Sequence, residues 1–249
     1  MPQRSEVEQY LSSLLNVERF KDYGPNGLQV QGRDVIKTLV TGVTASLELI
    51  EAAIAQRADA ILVHHGLFWR GQDGRLTGWL RQRVARLIAH DINLLAYHLP
   101  LDAHPVWGNN AQLGLRLGLS CQSTFGDQDL GFVGSAGTWR SQSQLAQGVE
   151  HALGRPVLLL PGDGRTLQRV AWCTGGAQGY FEDAIAAGAD AFITGEASEP
   201  QAHLARETGV AFLACGHHAT ERFGVSALGE HLAQHFGLTH LFLDMPNPV

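Results

Sequence analysis

Short apolar runs alternate along the chain with longer stretches whose apolar positions recur at helical spacing. The runs predict strands at Lys37–Gly42, Ala60–Val63, Asn93–Tyr97, Val157–Leu160, Arg169–Cys173, Ala191–Thr194, Val210–Cys215 and Thr239–Leu243. Between them, Leu47–Gln56, Trp79–Ala89, Phe181–Ala187, Ser198–Glu207 and Thr220–His235 carry helix-compatible patterns. Alternation of this kind predicts an α/β fold of mixed, mostly parallel sheets flanked by helices.

The pattern also repeats. Glu51-Ala-Ala-Ile-Ala55 aligns with Glu182-Asp-Ala-Ile-Ala186, and Ala58-Asp-Ala60 with Ala189-Asp-Ala191, both at an offset of 131 residues. Each run then enters an apolar strand, Ile61-Leu-Val63 in one and Phe192-Ile-Thr194 in the other. Helix, turn and strand matching at one offset point to an internal duplication. The periodicity fades near Phe125–Gly137, so the expected halves are 1–125 and 126–249, with 205–249 able to pack with the first half.

Composition narrows the functional classes. A net charge of −6 and no run of Lys or Arg argue against nucleic acid as a partner. No stretch approaches the roughly 20 apolar residues of a membrane helix, and the first residues do not form a signal peptide. The three cysteines, Cys121, Cys173 and Cys215, lie far apart without CxxC spacing, as expected of thiols in a reducing cytoplasm. Any metal here would rely on imidazole and carboxylate.

Three histidine-bearing segments stand at the carboxyl ends of predicted strands, where α/β proteins place their ligands. His64-His65 follows Ala60–Val63, and Gly66 offers the turn that would let both rings face one site. His98 and Asp102 follow Asn93–Tyr97, and His217 and Glu221 follow Val210–Cys215. The two histidine–carboxylate pairs share a spacing of four, which on a helical turn puts both groups on one face. They read as equivalent loops of the two halves, offset by 119 because the first copy has a longer connection around Phe68–Thr77. Glu221 alone could simply cap a helix N-terminus, and the Asn26-Gly27 dipeptide is a hairpin turn signal. His218 could serve either role, and the remaining histidines read as surface or core residues. Taken together, the donors exceed what one tetrahedral ion with an open position needs, and suit two ions sharing a carboxylate. Zn, Mn and Fe(II) all fit. The second copy has Gly195-Glu196 where the first has His64-His65, so one asymmetric centre is expected.

Asp22-Tyr-Gly-Pro-Asn-Gly-Leu-Gln-Val30, Thr41-Gly-Val-Thr44, Val63-His-His-Gly66, His98-Leu-Pro-Leu-Asp102 and Gly216-His-His-Ala-Thr-Glu221 resemble the GTP cyclohydrolase 1 type 2 homologue family, the dinuclear-metal-centre hexameric proteins, in its YbgI-like branch. The resemblance runs from Tyr10 to Pro248. It implies a homohexameric ring with metal pairs facing its cavity, and a centre of two divalent ions on His64, His65, Asp102, His217 and Glu221, with Glu221 bridging. His98 is implied as a near neighbour of the metals, and its ordinary pKa suits it to general acid or base work. The leading expectation is a metal-dependent hydrolase acting on a small molecule. The alternative is a metal-loaded scaffold or regulatory binding protein without turnover. The cyclohydrolase label fits hydrolysis in kind, and no Walker-type loop specifies a nucleotide.

Overall fold

In the computed structural model, which describes residues 1–249, the early apolar runs form one five-stranded sheet and the later ones a six-stranded sheet. The first sheet contains β1 (Gly27–Val30), β2 (Thr38–Thr44), β3 (Ala60–His65), β4 (Asn93–Ala96) and β11 (Thr239–Phe242) in the order β1-β4-β3-β2-β11. All neighbours are parallel except β1 against β4. Helices α1 (Arg4–Leu14), α2 (Leu47–Ala55) and α3 (Gly78–Ala89) accompany it. Ser46 caps α2 by accepting from the Leu49 amide, 3.1 Å away. Val40, Leu49, Ile50, Ile61, Val63 and Leu94 are buried together at the core.

The second sheet contains β5 (Ser120–Phe125), β6 (Gly131–Ser135), β7 (Leu158–Leu160), β8 (Arg169–Trp172), β9 (Ala191–Thr194) and β10 (Ala211–Ala214), in the order β5-β6-β8-β9-β10-β7. The chain crosses between units three times, the last at Pro246/Asn247 near its end. It leaves the first inside α4 (Leu99–Ala103), at Leu101/Asp102, and returns inside α9 (His217–Phe236), at Phe223/Gly224. The second unit also holds α5 (Asn109–Arg116), α6 (Gln142–Leu153), α7 (Phe181–Ala186) and α8 (Glu199–Thr208).

The duplication is visible in the topology. The arrangement β1-β4-β3-β2 recurs as β7-β10-β9-β8, three parallel strands with an antiparallel one beyond. Gly27 and Leu158, Thr38 and Arg169, and Ala60 and Ala191 begin equivalent strands at the same offset of 131. Each copy then adds different neighbours: β11 beside β2, and the β5–β6 hairpin beside β8.

That hairpin stands where the sequence pattern suggested a junction. Its outer strand, Ser-Cys-Gln-Ser-Thr-Phe, is exposed except for partly covered Phe125, so it carries no hydrophobic alternation to betray it. Backbone pairing with β6 defines it. Gly134 permits the close approach, since a Cβ there would collide with the Ser120 carbonyl. Because this hairpin and the buried Leu113, Leu117 and Leu119 pack into the second core with Trp172, the changeover falls at residue 101 rather than near 125.

The repeated Ala-Asp-Ala motif has a structural task in both copies. Asp59 Oδ2 accepts from the Lys37 and Thr38 amides at 2.8 and 2.9 Å, tying the start of β2 to β3. Asp190 Oδ2 does the same for Gln168 and Arg169 at 2.8 and 3.0 Å, tying β8 to β9. Arg33 pairs with Asp59 at 2.9 Å. These carboxylates satisfy amides that enter a parallel pair without a ladder partner.

No helix is long and apolar enough to cross a membrane, and all three cysteines are free thiols. Replacing Asp59 with Ala should cost about 3 kcal/mol by stranding two amides, with Asp59→Asn recovering part of it. Urea unfolding measures this, and a loss below about 0.5 kcal/mol would show that the clamp holds nothing.

Candidate metal centre

In the first unit, β3 does not stop at Val63 but continues through His65, paired there with Thr44 of β2. Strand alternation would separate the two rings, yet their centroids lie 4.5 Å apart. Each leans over the end of the strand toward a different neighbour. His64 is fully buried with Nδ1 3.0 Å from the Tyr97 carbonyl beyond β4. His65 Nδ1 lies 3.1 Å from Thr44 Oγ1. Gly66 makes no left-handed turn. It is glycine because the Gln29 amide packs where a Cβ would sit.

His98 follows β4 and completes the group. Its Nδ1 is 2.7 Å from Asp22 Oδ1, and its amide donates to Asn26 Oδ1 at 2.7 Å. Asp22 also accepts from the Leu99 and Tyr23 amides and from Asn26 Nδ2. Burial works against its ionisation, but the bonds from His98 and Asn26 outweigh it and hold the carboxyl below its usual range. The ring of His98 lies 5.0 Å from that of His64 and 5.7 Å from that of His65. Each of the three offers a ring nitrogen within 4.8 Å of the others.

In the second unit, Asp102, Glu221 and His217 gather around the Thr174-Gly175 turn that follows β8. Asp102 is buried, and its Oδ1 accepts from Asn109 Nδ2 at 2.8 Å and Thr174 Oγ1 at 3.3 Å. Gly175, at φ +70°, donates its amide to Thr220 Oγ1 at 3.0 Å, and a Cβ on it would collide with Glu221 Oε1. Helix α9 begins at His217, a turn earlier than its apolar pattern suggests, so His217 and Glu221 share its first turns. His217 Nε2 lies 3.2 Å from Glu221 Oε2, while its Nδ1 meets Glu196 Oε1 at 2.6 Å.

Glu196 occupies the position that corresponds to His65 in the other copy. The position corresponding to His64 is Gly195, where any Cβ would press within 2.6 Å of the Gly175 carbonyl and of His217 Cα. The second copy therefore has no room for the first histidine, and its second has become a carboxylate that holds His217. Burial alone would lower the His217 pKa, but Glu221 and Glu196 together push it up to about 9.

In three of the four histidines, Nδ1 faces a carbonyl or carboxylate oxygen, which can only accept. Nδ1 then carries the proton, and in the neutral ring Nε2 presents the lone pair. His65 makes the same contact with a hydroxyl. Oxygen partners of this kind fix the ring and tautomer of metal-binding histidines. His98, His64 and His65 are thus brought together in one unit, and Asp102, His217 and Glu221 in the other. Residue-type reasoning missed Asp22, Asn26, Thr174 and Glu196. Asp22 and Asn26 lie in a family-like segment without a histidine, and Asn26 is no hairpin turn, since β1 pairs with the distant β4. Other histidines have local tasks: His104 accepts backbone amides, His203 pairs with Glu199, and His240 meets Thr41.

A family model for Duf34/NIF3 (NGG1p interacting factor 3) matches residues 2–248. A protein of Neisseria meningitidis serogroup B called GTP cyclohydrolase 1 type 2 homolog is 50% identical over 240 residues, covering 96% of each chain. The solved structure of protein ybgI, described as of unknown function, matches with a TM-score of 0.96 at 46% identity, over 99% of this chain and 100% of that one. The solved structure of a Thermus thermophilus protein, TTHA1606, matches with a TM-score of 0.90 at 34% identity, over 99% and 100% of the two chains.

Two outcomes are expected. In metal-free protein the folded pKa of His217 lies above its ordinary 6.5, so its stabilising contribution is complete below about pH 6.5 and fades as the pH climbs through about 9. Urea midpoints measured across that window should fall more steeply than in His217→Gln, and parallel profiles would refute the assignment. Glu196→Gln should weaken metal binding about 10–100-fold while leaving the fold intact, as read by competition with a chromogenic chelator.

Proposed function

Because the chain belongs to the Duf34/NIF3 family, we propose that it is a dinuclear metal protein acting as a hydrolase, with His64, His65, Asp102, His217 and Glu221 as ligands and His98 as the proton-transfer residue. The observation that carries this reading is the common anchoring of the histidines. All four rings are held at Nδ1 by an oxygen of the chain, the kind of anchoring that orients metal-binding imidazoles.

The donor set also fits. Imidazole and carboxylate suit Zn, Mn or Fe(II), whereas burial pushes the Cys173 and Cys215 thiols up and away from ligation. Continuity of the chain adds support, since two of its three crossings between units fall at Asp102 and just after Glu221. Each ligand group is thereby tied covalently to the other. Two divalent ions held by these residues would supply Lewis acidity and an activated water at neutral pH.

The chain's own residues do the rest. Asp22 accepts the hydrogen bond from His98 Nδ1, fixes its tautomer and stabilises the imidazolium formed when Nε2 accepts a proton. Asn26 holds the His98 backbone, and Asp22 holds its ring. Glu196 orients His217 in the same way. The homohexamer expected from the resemblance, and residence in the cytoplasm, which three free thiols favour, belong to this reading too. Light scattering that gives a single 26.9 kDa chain would remove the ring.

Purified protein loaded with Zn²⁺, Mn²⁺ or Fe²⁺ should hold close to two ions per chain and hydrolyse a member of an ester, phosphodiester and cyclic-amide panel. Glu221→Ala should lose both metal and turnover. His98→Gln should keep the metal and lose about 10²–10⁴-fold in kcat. Full occupancy without turnover on any substrate would point instead to a metal-loaded binding protein.

A further inference from the structure

Beside the histidines of the first unit lies a pocket that the hydrolytic reading leaves without a task. It measures about 340 Å³ and is walled by Asp22, Tyr23, Pro25, Phe68, Trp69 and Arg70, a size that suits a small molecule. Two of its aromatic rings flank the proton-transfer residue. Trp69 meets His98 edge-on at 5.0 Å, and Tyr23 approaches the same ring at 6.2 Å. The pocket and His98 thus share Trp69 and Tyr23 as neighbours.

The pocket is built in advance. Its two sides are laced by the Arg70 amide donating to the Tyr23 carbonyl and by Arg70 Nη2 donating to the Asp22 carbonyl, both at 2.6 Å. Gly24 has no space for a side chain because the Phe68 carbonyl lies against it. Despite this scaffold, Tyr23 keeps 59% of its surface open, and Phe68 and Trp69 are half-buried. The aromatic surface thus remains available to an occupant.

Charge narrows the occupant further. The Arg70 guanidinium sits 6.0 Å from the Tyr23 ring centre. Its one hydrogen-bond partner here is a carbonyl, so no carboxylate neutralises it, and most of its five donors remain to be used. The nearby Asp22 carboxylate is turned inward to His98, Asn26 and Leu99. Aromatic walls favour planar rings over aliphatic chains because ring faces stack, and a guanidinium favours carboxylate or phosphate.

We propose that this pocket is the substrate-recognition site of the centre described above, taking a planar heteroaromatic ring that carries an anionic group, with the ring against Trp69 and Tyr23 and the anion on Arg70. The assignment rests on the hydrolase reading for its role and on the pocket alone for its binding chemistry. Tyr23, Trp69 and Arg70 are its specificity-determining residues.

Calorimetric titration tests it with four probes: adenosine 5′-monophosphate, quinoline-2-carboxylate, adenosine and ribose 5-phosphate. The two probes with both ring and anion should bind, one anion being a phosphate and the other a carboxylate. Adenosine and ribose 5-phosphate should bind at least about tenfold more weakly. Trp69→Ala and Tyr23→Ala should each weaken the first two about tenfold, Trp69→Phe should restore most of it, and Arg70→Ala should bring adenosine 5′-monophosphate down to adenosine. Unchanged thermal midpoints identify variants that fold. Failure of all four probes to bind, or binding insensitive to these substitutions, overturns the proposal. Titrations on metal-loaded and chelator-treated protein, run beside the turnover assays, separate the two readings. Binding without turnover rejects only the hydrolase, and turnover without binding of any probe rejects only the pocket.

Discussion

Parallel strands have no hairpin to set their register, so something at their starting ends must align them. In both copies of this fold that task falls to one carboxylate. Asp59 holds the first amides of β2 against β3, and Asp190 holds those of β8 against β9. Once the starts are level, the far ends are level too. In the first sheet Thr44 stands across from His65 and Val63 across from Ala96, so the residues just past each strand arrive at the same height. The height of His64 and His65 against β2 therefore depends on a bond made at the other end of the strands. A slip of one residue would turn His64 and His65 to the opposite faces of the sheet.

Much of this was legible in the residues. Buried parallel strands are nearly continuous apolar runs, so β2, β3, β4, β8, β9 and β10 announced themselves, and the Ala-Asp-Ala motif exposed the duplication. The histidines at strand ends were equally plain. Less visible were elements defined by backbone pairing alone, such as β5, whose polar residues carry no alternation. The partners that hold the ligands were also hidden. Asp22 reaches His98 across 76 positions and Thr174 reaches Asp102 across 72. Such contacts depend on where the chain folds back, which local pattern cannot report. The extension of β3 through His65 was obscured because two histidines end an apolar run without looking like part of it.

Histidine rings in this chain are rarely left to choose their own orientation. Carbonyl, carboxylate or hydroxyl oxygens hold Nδ1 in each of the four near the proposed centre. The same device serves two purposes. For His64, whose partner is a neutral carbonyl, it directs the lone pair. For His98 the carboxylate of Asp22 does the same, and for His217 the carboxylates of Glu221 and Glu196 also favour positive charge on the ring.

The contact at Gly195 limits how alike the two copies can be. In the second copy the Gly175 carbonyl and the backbone of His217 lie where a side chain at 195 would sit. A histidine placed there would meet main chain on both sides, so accommodating it would require several coordinated changes at once. Single substitutions therefore cannot give the second copy the paired histidines of the first, and the asymmetry of the molecule is locked in by its backbone rather than by any one side chain.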